Sequence, residues 1–522
     1  MAADRPRGPG RRAAPRPDGQ AAPGRAPGSG RRPGPPGGGA AQRGGGTGQR
    51  GGGTGQRQRD GSPTSRRPGD PARRAALDVL RAVADRDAYA NLLLPSVLAE
   101  RGLSGRDAAL VTELAYGTLR GRGTYDAVLA ACSSRALARI DAPVLDVLRL
   151  GAHQLLATRV RPHAAVDTSV ELARQVAGAG AAGFVNAVLR KVAARDLEEW
   201  IGRIAPDRAV DPAGHLSVRY SHPRWIVAAF SEALGEEAAG GLTETEAALA
   251  ADAARPAVTV CTVPGLASPG DLASAGVQAA RWSPFGGYLK RGDPAGLAAV
   301  REGRAGVQDE ASQLAALALT RVEVGGQDRR WLDLCAGPGG KARLLAGIAA
   351  GRGARLAAAD ARMRRARLVR AATAAPGRTR VIVADAAVPA WRPGAFDRVI
   401  ADVPCSGLGA LRRRPEARWR KSPPDVAALA GLQRSLLASA LDAARPGGVV
   451  AYVTCSPHVT ETREVVAAVT SGRAGVTVLD APAVLAEVPG LRCPEPGSRF
   501  AQFWPHRHGT DAIFLALLRR TA

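Results

Sequence analysis

Apolar residues recur at intervals of three and four along residues 71–208. This spacing places one apolar stripe on each of several helices. The helices are joined by turns that contain Gly or Pro, for instance around Gly102, Pro143 and Pro162. The recurring apolar positions include Leu77, Leu80, Val83, Leu110, Leu114, Tyr116, Val144, Leu145, Leu148, Leu155 and Leu156. The pattern predicts an all-helical domain over residues 71–208.

After Gly303 the chain changes to short apolar runs that alternate with helical stretches. The runs predicted as strands are Trp331–Cys335, Arg355–Asp360, Arg380–Ala384, Arg398–Asp402 and Gly448–Thr454. Their order predicts a Rossmann-like α/β domain over residues 301–522, with a doubly wound, mostly parallel sheet that binds ligands at the carboxyl ends of its strands. Residues 209–300, which include the strand-like run Ala257–Val260, are predicted to form a small mixed connecting subdomain.

The N-terminal stretch has a composition of its own. From Ala2 to Asp70 there is no Val, Ile, Leu, Phe, Tyr, Trp or Cys. We predict a disordered tail rich in Arg, Gly and Pro over residues 1–70, because nothing in it offsets the entropy of ordering a backbone. The heptapeptide Gln42–Gly48 is repeated at Gln49–Gly55. Such Arg-Gly tracts bind RNA through charge and stacking, and a merely solubilising tail is the alternative.

The chain is strongly basic, with a formal net charge of +25, and only four of its 72 basic residues are lysines. A charge of this size favours a polyanionic partner such as nucleic acid, since binding releases condensed counterions. A solvated basic surface is the alternative. The chain has no apolar run of about eighteen residues, and its first residues lack the apolar core of a signal peptide. We therefore predict a cytoplasmic protein that does not associate with a membrane.

The first predicted strand of the α/β domain runs into a glycine-rich turn, LDLCAGPGGK at Leu332–Lys341, that leads into a helix. This turn fits neither the dinucleotide fingerprint GxGxxG nor the phosphate loop GxxxxGKS/T. Exposed backbone at a helix start also suits the methionine part of S-adenosylmethionine. The part of the turn that follows the strand consists of Cys335, Ala336, Gly337, Pro338, Gly339, Gly340 and Lys341.

Three aspartates follow successive predicted strands of the same domain. Asp360 is placed to accept hydrogen bonds from ribose hydroxyls, Asp385 to receive the adenine amino group, and Asp402 to lie beside the transferable methyl group. A lone aspartate at a strand end is commonly a helix cap. Because three occur at successive strand ends, we predict that they belong to the donor site.

Six cysteines are spread along the chain without a CxxC pair, so neither a disulfide framework nor a metal site is predicted. Cys405 and Cys455 follow the fourth and fifth predicted strands and are expected to face one cleft. Carbon 5 of cytosine accepts a methyl group once a thiolate has added to carbon 6, so cysteines at this cleft indicate cytosine chemistry. We interpret Cys132, Cys261 and Cys493 as small buried apolar residues.

Short motifs in the α/β domain resemble the RNA cytosine-5 methyltransferases of the RsmB/Sun type. The motifs are LCAGPGGK at Leu334–Lys341, DVPCSGLG at Asp402–Gly409, VTCSP at Val453–Pro457, QDEAS at Gln308–Ser312 and PHRHGTD at Pro505–Asp511. The helical domain, with GFVNAVLR at Gly183–Arg190, resembles the NusB-like RNA-binding domain that is fused to such methyltransferases. The resemblance covers nearly all of the chain from residue 71 onward.

This resemblance implies roles for individual residues. Cys455 would be the nucleophile that adds to carbon 6, and Cys405 would assist release of the methylated product. Asp402 and Lys341 would complete the catalytic set, with Asp402 also touching the cytosine edge. Lys341 is one of only four lysines in an arginine-dominated chain, which indicates that an ammonium group is specifically needed there. S-adenosylmethionine would be the methyl donor, bound by the turn residues Cys335 to Lys341 and by Asp360, Asp385 and Asp402.

The resemblance further implies an enzyme that makes 5-methylcytosine in 16S ribosomal RNA, at cytosine 967. Its partner would be ribosomal RNA, free or in early small-subunit particles, and we expect a monomer. One alternative is a cytosine-5 methyltransferase of tRNA or another RNA. A DNA cytosine-5 methyltransferase is another, which the additional Thr-Cys motif disfavours. The third is a non-catalytic RNA-binding assembly or transcription factor, which the retention of both cysteines and all donor residues disfavours.

The segment Leu411–Lys421 follows Cys405 and carries six positive charges and one negative charge. We expect it to lie along the RNA near the target base, with Trp419 as a stacking face for an unpaired base. The alternative is that some of its arginines pair with carboxylates of the protein itself.

Overall fold

The computed structural model describes residues 70–86, 88–237, 241–375, 379–388, 390–492 and 497–522. Apart from Asp70, the predicted N-terminal tail lies outside the described residues. None of the helices in these ranges is both long and apolar enough to span a membrane.

The described residues from 70 to 204 form a helical domain, as the apolar spacing predicts. Its helices are α1 (Pro71–Asp85), α2 (Ala90–Glu100), α3 (Gly105–Arg120), α4 (Arg122–Cys132), α5 (Ala142–Ala157), α6 (Pro162–Val192) and α7 (Leu197–Ile204). Asp70 caps α1 by accepting two backbone N–H groups of its first turn. Pro162 begins α6, where the N–H that proline lacks would have no partner within the helix. The predicted apolar stripes meet in one core, in which Leu77, Leu114 and Leu148 are buried.

The connecting region combines helices with a small sheet. Its helices are α8 (Pro212–Arg219), α9 (Arg224–Leu234), α10 (Thr243–Ala253) and α11 (Ala298–Arg301), and its strands are β1 (Val258–Thr262), β2 (Val277–Ala279), β3 (Gly286–Leu289) and β4 (Ala305–Val307). The four strands are antiparallel in the order β2-β3-β1-β4. The strand-like run at Ala257–Val260 therefore corresponds to β1, and β4 lies a few residues beyond the predicted end of this subdomain.

The α/β domain contains the larger sheet. Its strands are β5 (Arg330–Asp333), β6 (Arg355–Asp360), β7 (Thr379–Val383), β8 (Phe396–Asp402), β9 (Ala444–Thr454), β10 (Val476–Leu479), β11 (Ala501–Gln502) and β12 (Phe514–Arg520). Its helices are α12 (Glu310–Arg321), α13 (Gly340–Gly351), α14 (Met363–Ala372), α15 (Pro423–Ala443), α16 (Arg463–Ser471), α17 (Ala481–Leu485) and α18 (Pro505–His508). The sheet order is β10-β12-β9-β8-β5-β6-β7, with β11 paired to β12.

This sheet is doubly wound, with helices on both faces. Strands β5 to β9 are parallel, whereas β12 is antiparallel to β9. Side chains alternate between the two faces, so that Val449 and Val453 pack in one core with α12 and α13, while Val450 and Tyr452 pack in another with α15 and α16. The predicted mostly parallel, Rossmann-like sheet is confirmed.

The strand order brings the carboxyl ends of several strands to one place. Strand β6 pairs with one edge of β5, and the later strand β8 pairs with the other edge of β5. A crevice forms outside the carboxyl ends of the strands at such a reversal point. Asp333, Asp360, Asp402 and Thr454 are the last residues of β5, β6, β8 and β9, so the residues that follow them surround this crevice.

Candidate active site

The two predicted catalytic cysteines are brought together at the ends of neighbouring parallel strands. Asp402 on β8 is paired in register with Val453 on β9. The loops that follow place the Sγ atoms of Cys405 and Cys455 3.3 Å apart, and neither thiol is in a disulfide. The cleft predicted from two separate motifs therefore holds a pair of thiols within hydrogen-bonding distance.

A close backbone contact fixes the loop that carries Cys455. Gly409 donates its N–H to the carbonyl of Cys455 at 2.8 Å and accepts the N–H of Ala512 at 2.8 Å. A Cβ atom at position 409 would lie 1.8 Å from the Ala512 carbonyl oxygen, so only glycine fits between these segments. Packing against the Cys455 loop thus explains Gly409, the last glycine of the DVPCSGLG motif.

Lys341 and Asp402 form an ion pair beside the thiols. The Lys341 Nζ atom lies 3.0 Å from Asp402 Oδ2 and 3.4 Å from Ser312 Oγ. Lys341 is buried at the start of α13, which brings its ammonium group from the glycine-rich turn to the end of β8. Burial alone would lower the pKa of Lys341, but the charge and hydrogen bond of Asp402 outweigh it and raise that pKa. Lys341 therefore stays charged.

The surroundings distinguish the two thiols. The pKa of Cys455 is lowered, first by a hydrogen bond from Cys405 and then by the positive charges of Lys341 and Arg414, against the opposing effects of burial and Asp402. The pKa of Cys405 is raised by its hydrogen bond to Cys455, by burial, and by negative charge nearby. Cys455 is thus the thiol that ionises first, and Cys405 is the one that keeps its proton.

The glycine-rich turn between β5 and α13 is tied to Asp360 at the end of β6. Asp360 Oδ2 accepts the Gly337 N–H at 3.1 Å, and Oδ1 accepts the Arg362 N–H at 2.9 Å. A Cβ atom at Gly337 would lie 2.3 Å from Asp360 Oδ2. Gly339 has φ +115°, a left-handed conformation that side chains rarely adopt. The turn therefore needs its glycines for close approach and for its shape.

The other predicted donor residues occupy the same turn or the next strand end. Cys335 and Ala336 follow β5 after Leu334, and the Ala336 N–H donates to the Ala359 carbonyl on β6 at 2.8 Å. Pro338 and Gly340 complete the turn, with Gly340 as the first residue of α13. Burial, followed by nearby carboxylates, raises the pKa of Cys335, which makes it an unreactive thiol.

Asp385 lies apart from this cluster. It is exposed in the loop after β7, and its Oδ1 accepts the Ala387 N–H at 2.9 Å. Asp360 and Asp385 thus each accept the N–H of the residue two positions later, a local bond that lone aspartates commonly make. Asp360 and Asp402 also have partners that are distant in sequence, Gly337 and Lys341.

Sequence reasoning missed Asp333, the last residue of β5. Its side chain is fully buried, and neither carboxylate oxygen has a hydrogen-bond partner of normal geometry among the described residues. Burial, reinforced by the charge of Asp402, raises the pKa of Asp333 to about 8. The available signal was an acidic residue that ends an apolar strand directly before a glycine-rich turn.

A second missed residue is Glu461, in the loop between β9 and α16. It is fully buried beside the cysteine loops. Its carboxylate accepts hydrogen bonds from the N–H and O–H groups of Ser406, the residue after Cys405. In sequence it stands among Thr and Arg residues near a helix start, where an acidic side chain is ordinarily a solvated cap, so nothing in the local pattern distinguished it.

The structure contradicts the expectation that the segment Leu411–Lys421 lies open along RNA. Arg412 is buried and donates to Asp511 at 2.7 Å and to Asp309 at 3.0 Å. Arg413 donates to the same two carboxylates, at 3.0 and 2.8 Å. The alternative of pairing with the protein's own carboxylates holds for both arginines, and the partners are buried. We call Asp309, Asp511, Arg412 and Arg413 the carboxylate–arginine quartet.

Two further arginines of the segment anchor it to the helical and connecting regions. Arg418 is fully buried and donates to the backbone carbonyls of Arg120, Ser221 and Asp252 at 2.8, 3.2 and 2.9 Å. Arg420 donates to two carbonyls at 2.7 Å, that of Val83 in the last turn of α1 and that of Ala88 just after this helix. Trp419 is half-buried against Gly123 of α4, and the Arg122 guanidinium of the protein itself lies over its ring, 5.7 Å from the centroid. Arg414 is the arginine of this segment that is exposed.

Cys132 and Cys261 are not part of this cleft. Cys132 and Cys261 are buried, and burial raises the pKa of Cys261 to about 12. Cys493 lies outside the described residues.

Comparison with known proteins agrees with this architecture. Residues 322–519 match the model of the 16S rRNA methyltransferase RsmB/F family, and residues 70–194 match the NusB family. Rv1407 of Mycobacterium tuberculosis is 54% identical over 457 residues, which cover 87% of this chain and 98% of that protein. The ribosomal RNA small subunit methyltransferase B of Pseudomonas putida is 33% identical over 461 residues, which cover 86% and 98%. The chain belongs to the RsmB/F methyltransferase family.

A solved structure supports the fold of this RsmB/F family member. The crystal structure of the protein PH0851 superposes with a TM-score of 0.69 at 21% identity, over 86% of this chain and 98% of that one. Membership of the family confirms the predicted NusB-like and methyltransferase domains, S-adenosylmethionine as the methyl donor, and RNA as the class of substrate.

Two features of the cleft fit this donor. The unpartnered carboxylate of Asp333 can receive a cationic group of S-adenosylmethionine, which carries an ammonium and a sulfonium. The turn at Gly337 leaves no room for a side chain, so its backbone can lie against a ligand. Both features belong to residues that end or follow β5, the first strand of the larger sheet, and an α/β sheet binds its ligands at the carboxyl ends of its strands.

Proposed function

We propose that this protein methylates carbon 5 of a cytosine in 16S ribosomal RNA through a covalent adduct between Cys455 and carbon 6. The observation that carries the proposal is the pair of thiols 3.3 Å apart beside the ion pair of Lys341 and Asp402. Methylation of an exocyclic amine or a ribose oxygen needs no thiolate, whereas cytosine carbon 5 must first be made electron-rich.

In the first step Cys455 acts as the nucleophile. Its thiolate adds to carbon 6 and forms an S–C bond, and the electron pair of the C5=C6 double bond moves towards carbon 5. Lys341 supplies the positive charge that stabilises the thiolate. Asp402, held by Lys341, faces the edge of the base and stabilises the N3-protonated form of cytosine, which accepts addition more readily.

In the second step carbon 5 receives the methyl group. S-adenosylmethionine, when bound, supplies a methyl group on a positively charged sulfur. The residues proposed to hold it are Cys335, Ala336, Gly337, Pro338, Gly339, Gly340 and Lys341 in the turn, with Asp333, Asp360, Asp385 and Asp402 at strand ends. Asp360 orients the turn through the Gly337 N–H and offers an oxygen to the ribose hydroxyls. Asp385 is exposed at the next strand end, where the adenine amino group can reach it.

In the last step the adduct is released. The proton on carbon 5 passes to solvent, its electron pair reforms the C5=C6 double bond, and the pair of the C6–S bond returns to the Cys455 sulfur. Cys405 assists because its S–H donates a hydrogen bond to the departing thiolate. Since Cys405 keeps its proton next to the ionised Cys455, it is already in the state that this step needs.

Two variants test the assignment of the thiols. Cys455→Ala is expected to abolish methyl transfer and covalent capture of 5-fluorocytosine RNA. Cys405→Ala is expected to keep capture but slow release, so that a protein–RNA species from unmodified RNA survives denaturing electrophoresis. Cys132→Ala, outside the cleft, is the control. If Cys455→Ala still traps RNA while Cys405→Ala does not, the roles are reversed.

The target base is tested separately. Bisulfite sequencing of ribosomal RNA from cells with and without this gene is expected to reveal one lost methylcytosine in 16S RNA, at the position that matches cytosine 967. A lost methylcytosine in tRNA alone would contradict the assignment to ribosomal RNA.

A further inference from the structure

Glu461 connects the two loops that carry the active-site cysteines. Its Oε1 accepts the backbone N–H of Ser406 at 2.7 Å, and its Oε2 accepts the Ser406 hydroxyl. Ser406 directly follows Cys405. The Ser406 hydroxyl lies 3.1 Å from that of Ser456, which directly follows Cys455. One buried carboxylate thus holds Ser406 directly and reaches Ser456 through the Ser406 hydroxyl.

A further layer of hydrogen bonds holds Glu461 itself. Gln433 on α15 donates through Nε2 to Glu461 Oε1 at 3.0 Å and to the Pro404 carbonyl at 2.9 Å. Tyr452 on β9 donates its hydroxyl to the Glu461 carbonyl at 2.7 Å. Pro404 directly precedes Cys405, so the backbone is held on both sides of this cysteine.

The pattern of donors explains why this position holds a carboxylate. Each group that faces the Glu461 oxygens is a donor: the N–H and O–H of Ser406 and the amide of Gln433. A carboxylate only accepts, whereas a glutamine in its place would turn an NH2 group toward a donor. After the hydrogen bond to Cys455 and burial, the negative charge of Glu461 also raises the pKa of Cys405.

We propose that Glu461 is a positioning residue for product release, which fixes the loop of Cys405 so that its thiol stays in hydrogen-bonding reach of the Cys455 sulfur. The inference rests on the proposed function, in which Cys405 assists departure of Cys455 from carbon 6. Glu461 touches neither sulfur and acts through Ser406. Loss of its carboxylate would leave addition possible, because Lys341 and Arg414 still favour the Cys455 thiolate. The departing thiolate would lose its oriented donor.

The test uses Glu461→Gln in the full-length protein, with unmodified 16S RNA fragment and S-adenosylmethionine. We expect the first covalent capture to change by less than about threefold and release to slow by about tenfold or more, so that the adduct accumulates as in Cys405→Ala. The double variant Glu461→Gln/Cys405→Ala should release no more slowly than Cys405→Ala, because both changes remove the same hydrogen bond. Glu464→Gln, an exposed glutamate on α16, is the matched control.

Several outcomes would overturn the inference. A Glu461→Gln protein that captures RNA poorly but releases it at the normal rate would make Glu461 a structural residue, as would additive effects in the double variant. Calorimetric binding of S-adenosylmethionine checks that the variant folds. If it does not fold, Ser406→Ala, which removes one donor to Glu461, should slow release in the same direction by a smaller factor, and unchanged release would contradict the inference. If Cys405→Ala itself accumulates no adduct, the proposed function fails instead.

Discussion

Two regions of the molecule bury charge in opposite ways. In the carboxylate–arginine quartet, Asp309 and Asp511 each contact both Arg412 and Arg413 at 2.7 to 3.0 Å. In the active-site cleft, Lys341 pairs with the carboxylate of Asp402, but the buried Asp333 is in no ion pair among the described residues. Every charge of the quartet is matched, whereas the cleft contains a buried carboxyl group without a cationic partner.

The difference matches what each region does. A buried ion pair contributes most when every charge is matched, and losing one partner leaves a costly isolated charge. The quartet joins the start of α12 and the loop before β12 to the segment that also anchors the helical domain. In the cleft, by contrast, the carboxyl group of Asp333 has no cationic partner, so a cationic ligand that binds there favours its ionised form. S-adenosylmethionine, with its sulfonium and ammonium groups, is such a ligand.

The largest effect is expected where the quartet is broken. Arg412→Met removes one of two cations that face Asp309 and Asp511 and leaves both carboxylates undercompensated. Breaking a buried pair from one side costs about 3 to 5 kcal/mol of the free energy of unfolding. Urea unfolding, followed by tryptophan fluorescence, measures this cost.

Its control is an arginine with no such partners. Arg367→Met changes an exposed residue on α14 and should alter the free energy of unfolding by less than about 0.5 kcal/mol. Equal losses for the two variants would mean that the quartet is no more stabilising than a solvated arginine.

The next effect concerns the lysine in the cleft. Lys341→Gln removes the charge that stabilises the Cys455 thiolate and should slow methyl transfer roughly a hundredfold at neutral pH. The substitution also raises the pKa of Cys455. Because the rate increases as the thiolate forms, the rate should reach its plateau at higher pH than in the unmodified protein. Alkylation of Cys455 by iodoacetamide against pH, followed by mass spectrometry, measures the shift. An unshifted profile would show that Lys341 does not act on this thiol.

Much of the fold could be predicted because it depends on local spacing. The stripes of the helical domain follow from an apolar period of 3.6, and the strands β5 to β9 follow from short apolar runs between helical stretches. The cysteines and Asp402 could be assigned to one cleft because the carboxyl ends of parallel strands share an edge. Such inferences need only the chain order of strands and turns.

The contacts that could not be predicted depend on packing between distant segments. Arg418 donates to carbonyls of Arg120, Ser221 and Asp252, and a carbonyl left free at a helix end has no sequence signature. A run of arginines beside a cysteine motif therefore indicated RNA contact, although most of these side chains face inward. Glu461 was missed for the same reason, since its donors come from the β8 loop and from α15.

A smaller effect is expected for the unmatched carboxylate. Asp333→Asn should weaken binding of S-adenosylmethionine by about ten- to a hundredfold, because a hydrogen bond to a charged group contributes roughly 1.5 to 3 kcal/mol. The variant should be no less stable than the unmodified protein, since the buried Asp333 is in no ion pair and the amide oxygen of Asn can still accept the Cys335 N–H.

The pKa of Asp333 adds a second measurement. With a pKa of about 8, the free carboxyl is mostly protonated at pH 7, and a cationic donor favours the ionised form. Donor binding at pH 7 should therefore release a proton, and donor affinity should rise as the pH increases toward 8. Calorimetry in two buffers of different ionisation enthalpy detects the proton. Proton release that persists in Asp333→Asn would assign it to another group.

The smallest effect concerns Arg414, the exposed arginine between the quartet and the inward-facing Arg418. Its guanidinium lies 5.3 Å from the ring of Tyr89 in the helical domain, and its charge acts on Cys455, so it stands where RNA would enter the cleft. Arg414→Ala should weaken RNA binding and reduce the slope of log affinity against log salt by about 0.7 to 0.9, the loss of one phosphate contact. Filter binding across a salt series measures the slope, with Arg291→Ala as an exposed control. Donor affinity and stability should not change, unlike in Arg412→Met. A slope equal to that of the unmodified protein would mean that no arginine of this segment touches phosphate, and that its positive charge serves only to hold the domains together.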